Sequence, residues 1–238
     1  MRSTFMGTIL RSLLLALPLL AAACSAAEAP RDAAVEGLDP GAAAAGADTE
    51  NSSRPRIVFL GDSLTAGLGL PRAQAVPSLI QARLEADGYR YDVVNAGVSG
   101  DTSAGGLRRL EWALDGDVEI LVVELGANDG LRGLPVAQMK RNLGEIVTAA
   151  KSRGIAVVLT GMEAPPNYGS LYTAEFREAF RDLADEHDVA FVPFFLEGVA
   201  GIPALNSGDG IHPNAAGARV VERTIWRALE PLLDKRDR

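Results

Sequence analysis

A serine and an Asp–His pair supply the residue types of a nucleophilic triad. Ser63 lies in the tetrapeptide Gly61-Asp62-Ser63-Leu64, directly after the apolar run Ile57-Val58-Phe59-Leu60. Much further along the chain, Asp209 stands three residues before His212. A serine hydroxyl is a weak nucleophile near neutral pH, so it needs a base to accept its proton and an acid to orient that base. We therefore interpret the chain as a hydrolase in which Ser63, His212 and Asp209 are the catalytic residues.

Each of these residues also has a simpler interpretation. Ser63 is a suitable N-cap for a helix that follows a turn, and Asp209 could cap the last helix while His212 lies on the surface. The 238-residue chain has only two histidines, so His187 is the single competing base. It stands at the end of a helical pattern, where a solvated role or one paired with the helix dipole is the expected one.

Apolar runs of strand length alternate with helical patterns over the rest of the chain. Such alternation, with strands that are mostly unbroken apolar runs, predicts a parallel sheet with helices on both faces. The predicted class is α/β, a flavodoxin-like three-layer α/β/α sandwich with a five-stranded parallel sheet. The predicted strands are 56–60, 91–94, 119–123, 155–160 and 189–192, and the predicted helices are 75–86, 102–114, 135–152, 173–187 and 213–233.

The unusual polar segments all follow the carboxyl ends of these predicted strands. Ser63 follows the first strand, residues 97–101 the second, 126–129 the third and 162–169 the fourth, and the Asp–His pair follows the fifth after a longer loop. In open α/β sheets, ligands bind at that edge. We therefore expect one site that these segments build together.

Four separated blocks carry a resemblance to a known family. They are Gly61-Asp62-Ser63-Leu64, Ser99-Gly100-Asp101-Thr102, Gly126-Ala127-Asn128-Asp129 and Asp209-Gly210-Ile211-His212-Pro213. The chain resembles a GDSL hydrolase of the SGNH type over about residues 56–233. It is similar to the bacterial arylesterase, thioesterase and lysophospholipase branch. The nucleophile is not in the Gly-x-Ser-x-Gly elbow of α/β-hydrolases, which disfavours that fold.

The resemblance implies how negative charge on the substrate oxygen is stabilised. The oxyanion hole would consist of the backbone N–H groups of Ser63 and Gly100 and the side-chain amide of Asn128. As alternatives, Gly100 is an ordinary loop glycine and Asn128 a turn-forming residue. Asp62 would help to order the site loops. The family requires no cofactor or metal, although Asp101 and Asp129 make a carboxylate cluster that could bind a divalent ion.

Two loops are predicted to shape the substrate groove. Residues 130–134 resemble the flexible loop of this branch and residues 163–169 its acyl-pocket loop, although surface turns have a similar composition. The implied activity is a serine esterase acting on small-molecule or lipid esters: aryl or short-to-medium acyl esters, lysophospholipids or thioesters. An envelope-glycan O-deacetylase or acyltransferase of the same fold is the alternative activity. A non-catalytic envelope-binding lipoprotein is disfavoured, because Ser63, His212 and Asn128 are all present. The candidate substrate-binding residues are Leu131, Pro165, Pro166, Asn167 and Tyr168.

The N-terminal residues read as a targeting segment. Residues 1–23 combine two arginines with an apolar stretch over 12–20 and small residues before Cys24, the pattern of a signal peptide. Cys24 resembles the lipidated cysteine of bacterial lipoproteins, and an ordinary cleavage site is the alternative. We expect an exported protein that faces the periplasm and is lipid-anchored through Cys24 to a bacterial envelope membrane.

The remaining chain divides by composition. Residues 24–54 are rich in Ala, Gly and acidic side chains and predict a disordered tether, because they cannot bury enough apolar surface to offset chain entropy. Residues 55–238 fit one hydrolase domain. The chain has a formal net charge of −8 and its predicted domain lacks Lys/Arg clusters, which argues against nucleic-acid binding.

Overall fold

A computed structural model describes residues 54–233, and the predicted signal peptide, Cys24 and nearly all of the predicted tether lie outside the described residues. Five parallel strands form one sheet in the order β2-β1-β3-β4-β5, which is the flavodoxin-like order. This confirms the predicted α/β class. The strands are β1 (Arg56–Gly61), β2 (Asp92–Gly97), β3 (Val118–Glu124), β4 (Ala156–Thr160) and β5 (Ala190–Val192).

The register of the central strands sets the level of the site. Gly61, the last residue of β1, pairs with Gly97 at the end of β2 and with Glu124 at the end of β3. Three chain segments therefore leave the sheet at the same height. The middle of β1 and β3 is wholly buried, as expected for inner strands that are covered on both faces.

Helices connect the strands and cover the sheet. α2 packs against α8, and α6 packs against α3 and α7. None of the helices within residues 54–233 is both long and apolar enough to cross a membrane. The helices are α1 (Ser63–Ala66), α2 (Val76–Ala86), α3 (Ser103–Arg108), α4 (Leu110–Ala113), α5 (Ala127–Leu131), α6 (Val136–Ser152), α7 (Ser170–His187) and α8 (Ala215–Leu229).

Several helices differ from the predicted ones. The predicted helix over 102–114 is two helices that meet at Arg109, whose backbone leaves the helical region with φ −106° and ψ 8°. The last helix begins at Ala215, two residues after the predicted start. Asn214 is its N-cap, because the Asn214 side chain accepts hydrogen bonds from the Ala216 and Gly217 N–H groups. The short helices α1 and α5 lack an apolar period long enough to predict them from sequence.

Candidate active site

The serine turn is built on a capped helix of a single turn. Asp62 is the N-cap of α1, and its Oδ1 atom accepts a hydrogen bond from the Leu64 N–H at 3.0 Å. Ser63 is therefore the first residue of the helix and not its cap, which removes the structural alternative for this serine. Gly67 ends the helix with φ 76°, a left-handed conformation that favours glycine.

The structure brings Ser63, His212 and Asp209 into one hydrogen-bonded chain. Ser63 Oγ lies 2.8 Å from His212 Nε2, and His212 Nδ1 lies 2.7 Å from Asp209 Oδ2. A carboxylate on Nδ1 favours the tautomer with the proton there, which leaves Nε2 free to accept the serine proton. The geometry is that of a nucleophile, a base and an orienting acid.

Asp209 is held as an anion by its own loop. Its Oδ1 atom accepts hydrogen bonds from the backbone N–H of Ile211 at 2.9 Å and of His212 at 3.0 Å. The pKa of Asp209 lies well below its ordinary value, first because of the His212 N–H, then because of the Ile211 N–H and the His212 ring. The three-residue spacing is what allows one carboxylate to bind both the loop backbone and the ring.

The competing histidine lies elsewhere. His187 is the last residue of α7, and its carbonyl oxygen accepts a hydrogen bond from Lys151. Its side chain borders a shallow depression beside α6, lined by residues such as Arg141 and Glu145 and not by Ser63. His187 is therefore not placed to act as the base.

The Asn128 side chain contacts the serine turn and lines the cavity, whereas Gly100 does not line it in the described chain. The Asn128 side-chain amide donates a hydrogen bond to Asp62 Oδ2 at 2.9 Å, and Asn128 lines the same cavity as Ser63. Gly100 has φ 84°, and its carbonyl oxygen accepts a hydrogen bond from the Arg132 guanidinium at 2.8 Å. Gly100 is not among the residues that line this cavity in the described part of the chain.

Arg109 ties two of the site segments together, a role that its sequence position did not indicate. Its guanidinium donates to the Gly61 carbonyl at 2.8 Å, to the Ala96 carbonyl at 2.6 Å and to the Asp101 carboxylate at 2.7 Å. One cation thus joins the end of β1, the end of β2 and the residue after Gly100. Arg109 is also the residue at which the helical path breaks between α3 and α4.

The acidic residues near the site have structural partners. Asp101 pairs with Arg109, and Asp129 accepts hydrogen bonds from the Ser103 N–H at 2.8 Å and from the Ser103 hydroxyl at 2.6 Å. Within residues 54–233 no group of three or more His, Cys, Asp or Glu side chains is arranged to hold a metal ion.

Glu124 is a further acidic residue of the site that sequence analysis missed. It ends β3, is fully buried, and accepts hydrogen bonds from the serine turn. Burial raises its pKa well above the ordinary value, and the charge of the nearby Asp62 raises it further. Burial also raises the pKa of Asp62, against the opposing hydrogen bonds from Leu64 and Asn128. The only sequence signal was a glutamate at the end of an apolar strand.

A cavity of about 440 Å³ opens beside the triad. Of the predicted substrate-binding residues, Leu131, Pro165 and Pro166 line it, while Asn167 and Tyr168 do not. Much of the remaining wall is apolar. Part of it comes from predicted site segments that contribute residues not singled out, namely Ala127, Met162, Ala164 and Ile211, and the rest from a segment that was not predicted to contribute, with Phe194, Leu196 and Ala200. The segment 194–201 carries no motif, and only the fold brings it to the site.

Two tyrosines brace the segment that contains Leu131. The Tyr168 hydroxyl donates to the Leu131 carbonyl at 2.9 Å, and the Tyr172 hydroxyl donates to the Leu134 carbonyl at 2.9 Å. The two rings also contact each other, with centroids 5.3 Å apart. Tyr168 therefore supports the cavity wall from behind.

Comparisons with known proteins agree with this geometry. The family model described as GDSL-like Lipase/Acylhydrolase family matches residues 59–220, from β1 into α8. The protein named Esterase TesA of Pseudomonas aeruginosa is 44% identical over 186 residues, which cover 78% of this chain and 92% of that protein. Thioesterase 1/protease 1/lysophospholipase L1 of Escherichia coli K12 is 36% identical over 192 residues, covering 80% and 88%. A crystal structure of TesA matches with a TM-score of 0.72 and 44% identity over 75% of this chain and 99% of that chain.

Proposed function

The chain belongs to the GDSL-like lipase/acylhydrolase family, and from this membership and the site geometry we propose that it is a serine esterase acting through an acyl-enzyme on Ser63. The observation that carries the proposal is the unbroken relay from Asp209 through His212 to Ser63 at the wall of an apolar cavity. Relatives named esterase and thioesterase support the same reaction class.

The first half of the reaction forms the acyl-enzyme. His212 Nε2 accepts the proton of Ser63 Oγ, and Oγ attacks the carbonyl carbon of the ester. Negative charge develops on the carbonyl oxygen of a tetrahedral intermediate, which accepts hydrogen bonds from the Asn128 amide and the Ser63 N–H. The resemblance to the family adds the Gly100 N–H as a third donor, although Gly100 does not line the cavity in the described chain. When this intermediate collapses, the bond to the leaving oxygen breaks. His212 then donates its proton to that oxygen, and the alcohol leaves.

The second half returns the enzyme to its starting state. A water molecule gives a proton to His212 Nε2 and attacks the acyl carbon, and a second tetrahedral intermediate forms at the same donors. When it collapses, the bond between the acyl carbon and Ser63 Oγ breaks, and His212 Nε2 returns its proton to Oγ as the carboxylic acid leaves. The leaving group takes no other part in this cycle, so thioesters fit the same mechanism as oxygen esters.

The cavity supports aryl and short-to-medium acyl groups as substrates. Its volume is about 440 Å³, within the usual range for pockets that bind small molecules. Its side chains are mainly apolar, so an acyl chain or an aromatic ring gains free energy by leaving water there. Lysophospholipids, which present one acyl ester, belong to the same substrate class.

A panel of p-nitrophenyl esters with acyl groups from acetyl to dodecanoyl, with a lysophospholipid and an acyl thioester beside them, tests the activity. We expect hydrolysis in the wild type and almost none in Ser63→Ala, whose circular dichroism spectrum and melting temperature should match those of the wild type. A p-nitrophenyl phosphonate should label Ser63 alone, as mass spectrometry of peptides would show. Substantial turnover in Ser63→Ala, or labelling elsewhere, would refute the assignment.

We also propose that the protein is exported and anchored to a membrane by acylation of Cys24. Support comes from the sequence: an apolar stretch preceded by arginines, and small residues before the chain's single cysteine. The mature protein should partition into detergent and carry acyl mass on its first residue, and Cys24→Ala should abolish both. A mature chain that begins at another residue and carries no lipid would contradict this proposal and leave the esterase proposal intact.

A further inference from the structure

Glu124 is a buried carboxyl group without a cationic partner. Its exposed fraction is 0%, and among the ion pairs of residues 54–233 none involves it. Its Oε1 atom is also buried and has no hydrogen-bond partner in the described chain. Burying a carboxyl group without a cation destabilises a folded protein, so the contacts of its other oxygen must offset that cost.

Those contacts all come from the turn that carries Ser63. Glu124 Oε2 accepts a hydrogen bond from the Thr65 hydroxyl at 2.8 Å, from the Asp62 N–H at 3.2 Å and from the Thr65 N–H at 3.3 Å. Asp62 and Thr65 stand on either side of the proposed nucleophile. A single oxygen atom at the end of β3 therefore fixes the backbone before and after Ser63.

The side chains under the turn are closely packed. A Cβ atom at Gly61 would lie 2.1 Å from Thr65 Oγ1 and 2.6 Å from Glu124 Oε2. Thr65 and Glu124 are both fully buried. Gly61 is therefore the residue that allows the Glu124–Thr65 contact to form directly beside the end of β1.

We propose that Glu124 is a positioning residue whose carboxyl group holds the turn from Asp62 to Thr65, and thereby Ser63, in the reactive geometry. This inference rests on the proposed esterase function. Asp62 also accepts the hydrogen bond from Asn128, so the same anchor sets the positions of the nucleophile and of the amide donor. Loss of the anchor displaces both groups relative to the developing oxyanion, which lowers kcat more than it weakens substrate binding.

Two substitutions at this position separate hydrogen bonding from packing. Glu124→Gln keeps a side-chain oxygen that can accept the three hydrogen bonds, whereas Glu124→Met keeps a similar volume without that acceptor. With p-nitrophenyl butyrate, we expect kcat to fall roughly 10²-fold in Glu124→Met, the size of effect that a small misplacement of reacting groups produces. KM should change by less than about threefold, and kcat of Glu124→Gln should stay within about threefold of the wild type.

Thr160→Val is the matched control for loss of stability alone. Thr160 is also fully buried at the end of a strand, and its hydroxyl donates to the Val123 carbonyl, next to Glu124 in the chain. This variant should melt at a lower temperature but keep its kcat. If Thr160→Val lost as much kcat as Glu124→Met at an equal shift in melting temperature, the proposal would be overturned. An unchanged kcat in folded Glu124→Met, or a folded but inactive Glu124→Gln, would also overturn it.

A second pair of variants applies if Glu124→Met does not fold. Thr65→Val removes the hydroxyl that donates to Oε2, and Thr65→Ser keeps it. We expect kcat to fall severalfold in Thr65→Val and to recover in Thr65→Ser, and equal kcat values in the two would overturn the proposal. Phosphonate labelling of Ser63 in the wild type tests the esterase proposal separately, so the two can fail independently.

Discussion

The side-chain amide of Asn128 donates one hydrogen bond to the Asp62 carboxylate at 2.9 Å, on the residue directly before Ser63. An amide nitrogen carries two N–H groups, so this bond orients the second one. Asp62 is itself fixed as the cap of α1. The proposed nucleophile and the proposed oxyanion donor are therefore aligned by one carboxylate, which gives the Asp of the Gly-Asp-Ser-Leu motif a physical role.

Asn128→Ala should lower kcat by about 10²–10³-fold with little change in KM, because the lost donor acts on charge that exists only in the transition state. Asn128→Asp should be at least as poor, since a carboxylate cannot donate and lies against Asp62. Both constants and the melting temperature should be measured for the two variants. Full activity in Asn128→Asp would exclude an oxyanion role and would favour a turn-forming asparagine.

Asp209→Asn should lower kcat by roughly 10⁴-fold, because an amide on Nδ1 no longer fixes the productive tautomer or stabilises the imidazolium. The pKa of Asp209 is held below its ordinary value. The folded state therefore binds this proton more weakly than the unfolded chain does, and the stabilisation is present above about pH 3.9 and lost as pH falls further.

The melting temperature of Asp209→Asn relative to the wild type should depend on pH in the direction that the lowered pKa of Asp209 sets. The wild type should melt at a higher temperature than Asp209→Asn near neutral pH, and the difference should shrink in acid. Thermal unfolding of both proteins across that range, with stopped assays for kcat, checks the two expectations. A melting difference that grows toward low pH would contradict the ionised state of Asp209 in the fold.

The site was predictable from sequence where one residue type and one spacing decide the chemistry. Ser63 and the Asp209–His212 pair are carried by short motifs, and the apolar runs around them predict the strands that bring them to one edge of the sheet. The parallel order follows from strand–helix alternation. These features depend on local pattern, which a sequence shows directly.

Residues whose role depends on register or on a distant backbone were not predictable. Glu124 meets the serine turn only because β3 pairs with β1 so that Glu124 lies level with Gly61. Arg109 binds carbonyl groups from two strands, and the helical pattern around it predicted one continuous helix instead. Tyr168 lies in a loop predicted to bind substrate, yet its hydroxyl points to the carbonyl of Leu131.

The raised pKa of Glu124 should make the stability of the protein depend on pH. Burial, and then the charge of Asp62, raise the pKa of Glu124 well above its ordinary value. The folded protein therefore retains a proton that the unfolded chain releases above about pH 4.3, and the contribution of Glu124 to wild-type stability falls as pH rises from there through the raised pKa. The slope from this one group is at most about 1.4 kcal/mol per pH unit.

Glu124→Gln cannot ionise, so it lacks this loss of stability. The melting temperature of Glu124→Gln minus that of the wild type should therefore increase with pH over the same window. Scanning calorimetry of both proteins in buffers from about pH 4 to pH 9 measures the difference. A difference that is constant or decreases with pH would show that Glu124 is ionised in the fold.

The part of the cavity wall at Leu131 is contacted by a tyrosine hydroxyl from a neighbouring segment. Leu131, the last residue of α5, lines the cavity, and the Tyr168 hydroxyl donates a hydrogen bond to its carbonyl oxygen at 2.9 Å. Tyr172 makes the equivalent bond at 2.9 Å to Leu134, which does not line the cavity in the described chain. The two tyrosines thus offer a test and its control against one segment, residues 131–134.

Tyr168→Phe removes only the hydroxyl, so the wall near Leu131 should yield more easily to a large acyl group. A neutral hydrogen bond contributes about 0.5–1.5 kcal/mol, which bounds the change in selectivity at about two- to tenfold. We expect the ratio of kcat/KM for dodecanoyl over acetyl p-nitrophenyl esters to rise by that factor in Tyr168→Phe and to stay at the wild-type value in Tyr172→Phe. Because Ser63 and His212 are untouched, kcat for the acetyl ester should not change in either variant. An equal shift in both variants would mean that general loosening of the loop, and not the Tyr168–Leu131 bond, sets the acyl preference.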